Sequence, residues 1–189
     1  MGPIGKSDLG MASLIISPLF DECDPVPSLK SLKDIFFRTS EKGAALAGDA
    51  REEFLYNWAG WYVEAVPKCV LLARNKDETV VGYLVGCLNS RSARALYDRL
   101  FYYKAFANCY TEYPCHFHVN CDPDFQGMGV GTALVKHFLF IARGDGARGV
   151  HLVTGASARN RKFYERMGFA ERAHSRLNGN ALVLLGKKL

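Results

Sequence analysis

Apolar positions recur along this chain at two intervals, and the switches between them delimit the elements. The stretch Leu14-Ile-Ile-Ser-Pro-Leu19 is rich in β-formers and broken by Pro18, which predicts a first strand at a sheet edge, because proline cannot donate to an inner ladder. Behind Ser28, a candidate N-cap, Leu29, Leu32, Ile35 and Phe36 follow helical spacing until Gly43 ends the pattern. A second helix is predicted from Asp49, with Glu52 three residues on in a capping-box arrangement, through Phe54, Leu55, Trp58 and Tyr62 to Pro67. Its aromatics suit a core more readily than a ligand platform. Residues 68–73 and 79–88 are aliphatic runs joined by the polar turn Asn75-Lys-Asp-Glu78, the pattern of an antiparallel hairpin. Gly82 and Gly86 fall on one face of its second strand, so a bulge or a close neighbour is expected there. Residues 90–110 carry Leu96, Leu100, Tyr103 and Phe106 at helical spacing, in an excursion longer than a hairpin connection needs.

In the second half, alternation through Tyr113-Pro-Cys-His-Phe-His-Val119 stops at Asp122-Pro123, and a glycine-rich turn leads into Val130, Leu134, Val135, Phe138 and Leu139 at helical intervals. This is strand, turn, helix. Gly127, Gly129 and Gly131 remove three side chains where the backbone turns, so successive N–H groups can face one point at the positive end of a helix dipole, a geometry that binds phosphate. A turn after residue 142 leads to a short buried strand at 150–154. Asn178-Gly179 then joins 170–176 to 181–187 as a terminal hairpin. The order of elements predicts an α/β (α+β) fold with a mostly antiparallel, mixed central sheet flanked by helices, and no internal repeat.

Glycines in a turn can also serve a tight connection with nothing bound, and the spacing narrows the choice. A dinucleotide fingerprint, started at Gly127 and Gly129, places Thr132 where its third glycine should stand, and no Gly-Lys-Ser/Thr of a P-loop follows. Gln-x-x-Gly-x-Gly fits, from Gln126 to Gly131, and resembles the pyrophosphate loop of the GCN5-related N-acetyltransferase (GNAT) family. Downstream, Asn160-Arg-Lys-Phe-Tyr-Glu-Arg-Met-Gly-Phe169 is similar to that family's helix ending Phe-Tyr-x-x-x-Gly-Phe, matched here by Phe163, Tyr164, Gly168 and Phe169. Over residues 50 to 170 the pattern further resembles the acetyltransferase-like domain associated with protein O-GlcNAc hydrolases.

The resemblance implies acetyl-CoA as co-substrate and a small-molecule or protein amine as acceptor, in a monomer or homodimer. It implies that Gln126, Gly127, Met128, Gly129, Val130, Gly131 and Thr132 hold the pyrophosphate. Val119, Asn120 and Cys121 lie along the strand whose unpaired N–H would polarise the acetyl carbonyl. Ser157, Asn160, Phe163 and Tyr164 would pack beside the cofactor arm. Ser157 stands where relatives often have Asn, so that contact is expected to shift to Asn160. Tyr164 occupies the family position for the acid that protonates the departing thiolate. The family's base is often a carboxylate on the strand before the loop, but strand alternation puts His116, His118 and Asn120 on that face. Asn120 cannot take a proton at neutral pH; His118 can, and is the candidate base beside the alternative of a hydrogen-bonded structural histidine. Asp122, next to Pro123, suits capping the turn better than catalysis.

Composition changes this picture little. At 189 residues with 49% hydrophobic and 23% charged positions the chain is ordinary globular protein, and 12–189 is expected to be one domain behind a flexible leader, 1–11. Its apolar runs are too short to span a bilayer and no secretory signal is evident, so a cytoplasmic location is expected. Six cysteines without a Cys-x-x-Cys pair predict reduced core thiols and no metal site. The net charge of +5 is spread without a nucleic-acid-binding stripe, although Arg159, Arg161, Lys162 and Arg166 cluster where an anionic cofactor would benefit. A non-catalytic acyl-CoA-binding or interaction domain remains the alternative from another functional class.

Overall fold

A computed structural model of the protein describes residues 14–189. The expected leader, 1–11, lies outside the described residues. Seven strands form one sheet in the order β1-β2-β3-β4-β5-β7-β6. They are β1 (Ile15–Pro18), β2 (Val70–Arg74), β3 (Val80–Cys87), β4 (Cys115–Cys121), β5 (Gly149–Gly155), β6 (Ala170–Leu177) and β7 (Asn180–Lys188). The helices are α1 (Val26–Thr39), α2 (Glu41–Ala44), α3 (Gly48–Leu55), α4 (Trp61–Ala65), α5 (Leu96–Arg99), α6 (Val130–Gly144) and α7 (Arg161–Arg166). Every neighbouring pair is antiparallel except β4 and β5, and β1, with its proline, sits at the edge as predicted.

Both hairpins form through the local chemistry that predicts them. In the first turn the Asn75 side-chain oxygen accepts from the N–H groups of Asp77 and Thr79, at 3.0 and 2.9 Å. In the last, Asn178 and Gly179 both take positive φ, 49° and 78°, as the turn that matches strand twist requires.

The two faces of the sheet carry two cores. Leu71, Leu84, Cys115 and Phe117 pack against α6 through Leu134, Val135 and Phe138, while Leu72, Tyr83 and Val85 pack against α1, Tyr62 and Tyr103. The glycines of β3 explain how close α6 comes. A Cβ on Gly82 would lie 2.7 Å from Val130 Cγ1, and one on Gly86 would lie 2.7 Å from Phe138 Cζ and 3.1 Å from the His116 carbonyl. A close neighbour accounts for both, and at Gly82 the β2–β3 register also shifts, Ala73 pairing with Gly82 and Arg74 with Val80. Gly86→Ala should therefore destabilise the fold by about 1–3 kcal/mol through overpacking, read as a lower denaturant midpoint at unchanged slope.

Four local expectations are corrected. The first helix starts at Val26, and Ser28 lies inside its first turn, where the hydroxyl accepts from Arg74 Nη2 at 2.7 Å instead of capping. The Asp49/Glu52 capping box does not form: Ala47 is the N-cap, and Glu52 is drawn to Lys33 at 2.8 Å. That predicted helix is also not continuous, since a π-helical segment, Tyr56–Gly60, separates α3 from α4 and shifts the phase of the side chains that follow. In the excursion, helical spacing yields only α5 and a 3₁₀ segment, Lys104–Thr111, whose aromatic side chains are buried by tertiary packing.

Candidate active site

The site begins where two strands part. Only Cys115 and His116 of β4 pair with β5, opposite Val150 and His151, whereas β5 stays paired with β7 as far as Gly155. Beyond His116 the sheet is split, and β4 has a free edge inside the molecule. Asp122 N–H donates to Val81 O at 3.0 Å, and the register places Asn120 opposite Tyr83 and His118 opposite Val85. By the alternation of an antiparallel ladder these residues turn their amides toward β3, so Val119 and Cys121 direct theirs into the split.

On one side of β4 lies a groove of about 490 Å³. Its floor is the turn between β4 and α6, contributed by Gln126, Gly127, Gly129, Gly131 and Thr132, and its walls are Val119, Cys121, Phe125 and Val130, with Asn160, Phe163, Tyr164 and Arg166. Gly127 and Gly129 have φ of 80° and 88°, a region that L side chains rarely adopt, and open space lies where their side chains would be. Gly129 is the N-cap of α6 and offers no side chain to cap it, while the Cys121 thiol lies against the Gly131 amide in the first turn. A helix N-terminus and a bare backbone at the floor favour an anion there, and the half-buried Phe163 and Val119 make the neighbouring wall apolar.

On the other side is a chamber of about 270 Å³. Phe36, Thr39 and Ser40 come from α1 and its end, Phe54 and Trp58 from α3 and the π segment, and Tyr83 from β3. Phe117, His118, Val119 and Asn120 of β4, Leu152 and Val153 of β5, Asn160 and Tyr164 complete it. Val119, Asn160 and Tyr164 line both spaces. The split thus joins groove and chamber at one point.

Three hydrogen bonds tie α1 to the end of β4 and the turn after it. Arg38 of α1 donates to Asp122 at 2.6 Å and Asp124 at 2.9 Å, and Asn120 Nδ2 donates to Thr39 Oγ1. Asp122 also accepts from Asp124 N–H at 3.0 Å, so it caps the turn and is engaged there.

The titratable side chains differ sharply in their surroundings. His116 is fully committed: Ser90 Oγ donates to Pro114 O at 2.7 Å, so it accepts from His116 Nδ1–H at 2.7 Å, and Nε2 accepts from Tyr62 O–H at 2.8 Å. Burial holds its pKa well below that of a free imidazole. His118, packed edge-on to Trp58 with centroids 5.2 Å apart, has only a long contact, 3.4 Å, between Nε2 and the Tyr102 hydroxyl. Burial pushes its pKa down to about 4. It is neutral at pH 7. Tyr164 is 6% exposed, and its hydroxyl has no hydrogen-bond partner among the described residues. Burial, and then the neighbouring Cys121, raise its pKa, so it keeps its proton throughout the physiological range.

The family description "Acetyltransferase (GNAT) family" matches residues 29–169. The chain belongs to that family. As a member of the GNAT acetyltransferases it is placed among the acyltransferases, and its mixed seven-stranded sheet is that fold. It is similar to the mycothiol acetyltransferase of Propionibacterium freudenreichii subsp. shermanii, 29% identical over 136 residues. That match covers 71% of this chain but 36% of the relative, so the chain spans about a third of its length. The crystal structure of SsHAT superposes with a TM-score of 0.69 at 23% identity, over 93% of this chain and 98% of that one. PH1933 from Pyrococcus horikoshii gives 0.68 at 20%, over 93% and 98%. At these identities the two structures speak for the fold alone.

Of the residues singled out from sequence, Val119, Cys121, Gln126, Gly127, Gly129, Val130, Gly131, Thr132, Asn160, Phe163 and Tyr164 line the groove, and His118 and Asn120 line the chamber. Two do not converge. Ser157 is exposed in the turn before α7 and lines neither space, and Met128 is 55% exposed, its side chain turned off the loop. Asn160, which accepts from Thr154 Oγ1 at 2.9 Å, lines the groove where Ser157 does not. Of the four clustered cations only Arg166 lines the groove; Arg161 is held by Ala156 O at 2.8 Å and by Glu171 at 3.1 Å. Phe54 and Trp58, assigned to core from sequence, form chamber wall. Phe36, Thr39, Ser40 and Phe125 were not expected in the site at all, and nothing in their spacing separates them from core or loop residues.

Proposed function

We propose that the protein moves an acetyl group from acetyl-CoA directly to an amine. The observation that supports this most is the meeting of groove and chamber at Val119, Asn160 and Tyr164, which lets two substrates approach one point from opposite sides. The donor is a thioester whose pyrophosphate the Gln126–Thr132 turn would hold, with Arg166 beside it. The Val119 N–H would donate to the acetyl oxygen as negative charge builds there. The amine enters from the chamber, its nitrogen attacks the carbonyl carbon, and the thiolate leaves. Tyr164, protonated at working pH and unengaged, is the residue to supply the thiolate's proton. Among the described residues no carboxylate lines the chamber, and neutral His118 is the only imidazole there, so it is the group to take the proton that the nitrogen sheds. The finer likeness to O-GlcNAc hydrolase-associated domains rests on the sequence pattern of 50–170.

The test is thiol release from acetyl-CoA with a panel of amines. Amine-dependent release supports the proposal, whereas tight acetyl-CoA binding with no turnover of any amine would favour a non-catalytic acyl-CoA-binding domain. The pH profile is a second expectation. A base must be unprotonated to act, so protonating His118 should depress kcat/KM as pH falls through about 4, and His118→Ala should remove that limb while lowering the plateau. An acidic limb centred near 6.5 in the wild type, or one that survives His118→Ala, would take the role away from His118.

A further inference from the structure

The chamber's chemistry narrows the acceptor. We infer that the acceptor is an amine that is uncharged at neutral pH and is carried on an aromatic or similarly flat apolar body, seated between α1 and β4 with its nitrogen at the His118–Val119 end. This rests on the acetyl-transfer proposal above and adds the class of substrate to it.

Three observations carry the inference. First, the broad walls are rings: Phe36, Phe54, Trp58 and Tyr83 all line the space. Phe36, Phe54 and Trp58 form a continuous run, with centroids 5.6 Å apart for the first pair and 6.1 Å for the second and planes inclined by 50° and 49°, so that a ring seated against any one of them meets its neighbour edge-on. Second, the polar groups of the lining are uncharged: Thr39, Ser40, Asn120, Asn160 and His118. The nearby charges are used up elsewhere, because Asp122 and Asp124 are paired with Arg38 on the side of α1 that faces the phosphate-loop turn. An ammonium entering the chamber would lose its hydration with no anion to replace it, and ring faces recover only part of that loss. Third, the imidazole at the inner end is a weak base, its pKa held at about 4 by burial. It is badly matched to an alkylammonium, which ionises near ~10, and well matched to a nitrogen that arrives without a proton to lose before attack.

The chemical step then closes without a strong base. The nitrogen lone pair forms the C–N bond at the thioester carbon and the C–S bond breaks, the sulfur leaving with the electron pair. Sulfur takes the Tyr164 proton. The nitrogen, acidic once acylated, gives its proton to His118 or water, from which Tyr164 is reprotonated, so that amine and acetyl-CoA become amide and free coenzyme thiol.

Two isomers test this. 4-Methylaniline and benzylamine have the same atoms and the same ring, but only benzylamine is an ammonium at pH 7. With saturating acetyl-CoA, kcat/KM for 4-methylaniline should exceed that for benzylamine at least tenfold at pH 7. The benzylamine value should rise about tenfold per pH unit above that as its neutral form appears, while the 4-methylaniline value stays level. Asn120→Asp, which places a carboxylate in the chamber wall, should move the ratio toward benzylamine at least tenfold; a merely structural effect would lower both substrates alike and leave the ratio fixed. A wild-type preference for benzylamine, or for an aliphatic diamine, would overturn the inference and leave acetyl transfer standing. If no amine is turned over, acetyl transfer falls instead, and calorimetric titration of the protein with the two isomers in the presence of coenzyme A still decides the seat: tighter 4-methylaniline binding supports it, and equal or reversed binding overturns it.

Discussion

Tyr164→Phe is expected to lower kcat by about 10²–10⁴-fold while leaving the affinity for acetyl-CoA within about twofold. The substitution is conservative in every respect but one. The ring is packed among Phe117, Phe163 and Phe169, at centroid distances of 6.1, 4.9 and 6.0 Å, and phenylalanine keeps all three contacts. The hydroxyl has no partner within the described chain, so its removal strands no buried donor or acceptor and should cost little stability. Burial raises its pKa, so the wild-type enzyme should show no alkaline limb attributable to this group below about pH 10. Single-turnover release of the coenzyme thiol measures the effect. Full activity in a folded Tyr164→Phe protein would reduce the residue to packing.

The contrast between Tyr164 and its surroundings also marks what sequence can and cannot convey. The groove was legible because its chemistry is backbone chemistry: Gly127 and Gly129 must be glycine to reach positive φ, and that requirement is written at the positions themselves. The α6 helix and the close approach at Gly82 and Gly86 were legible for the same reason, since missing side chains leave a mark in the sequence. The chamber was not. Its walls come from segments about 60 to 80 residues before β4, brought across the sheet by tertiary packing, and Phe36 or Phe54 has the same helical spacing whether it faces core or cavity. The π segment adds a phase shift at Trp58 that no periodicity of 3.6 anticipates. The parting of β4 from β5 leaves no mark either, because it depends on where pairing stops between strands that are each ordinary in composition. Ser28 and the Asp49/Glu52 pair show the converse error. Their local capping signals are sound, but Arg74 and Lys33 offer those side chains stronger partners from elsewhere in the fold.

Gly129→Asn should abolish most acetyl-CoA binding without unfolding the protein, and asparagine is the informative replacement. Any side chain at this position meets two separate obstacles: the left-handed backbone, φ 88°, and the ligand that would lie against it. A valine would suffer both, at about 1–3 kcal/mol for the backbone alone, and its failure would not say which obstacle counted. Asparagine tolerates the left-handed region better than other side chains, so it largely relieves the first and keeps the second. No protein atom lies within 4 Å of a Cβ built on Gly129, so the new side chain has room in the free protein, and the space it occupies is groove. If it displaces the pyrophosphate from two amides at the start of α6, each charge-assisted bond lost is worth about 1.5–3 kcal/mol, which together weaken binding by at least about 100-fold. Gly146 supplies the control, because it has φ of 75° and the same open surroundings but lies in the turn after α6, away from both groove and chamber. Calorimetric titration should give wild-type affinity for Gly146→Asn and a loss of about 100-fold or more for Gly129→Asn, with both proteins melting within a few degrees of the wild type. Equal affinities in the two variants would mean that the pyrophosphate does not lie on this turn, and the assignment of the groove to acetyl-CoA would fall with it.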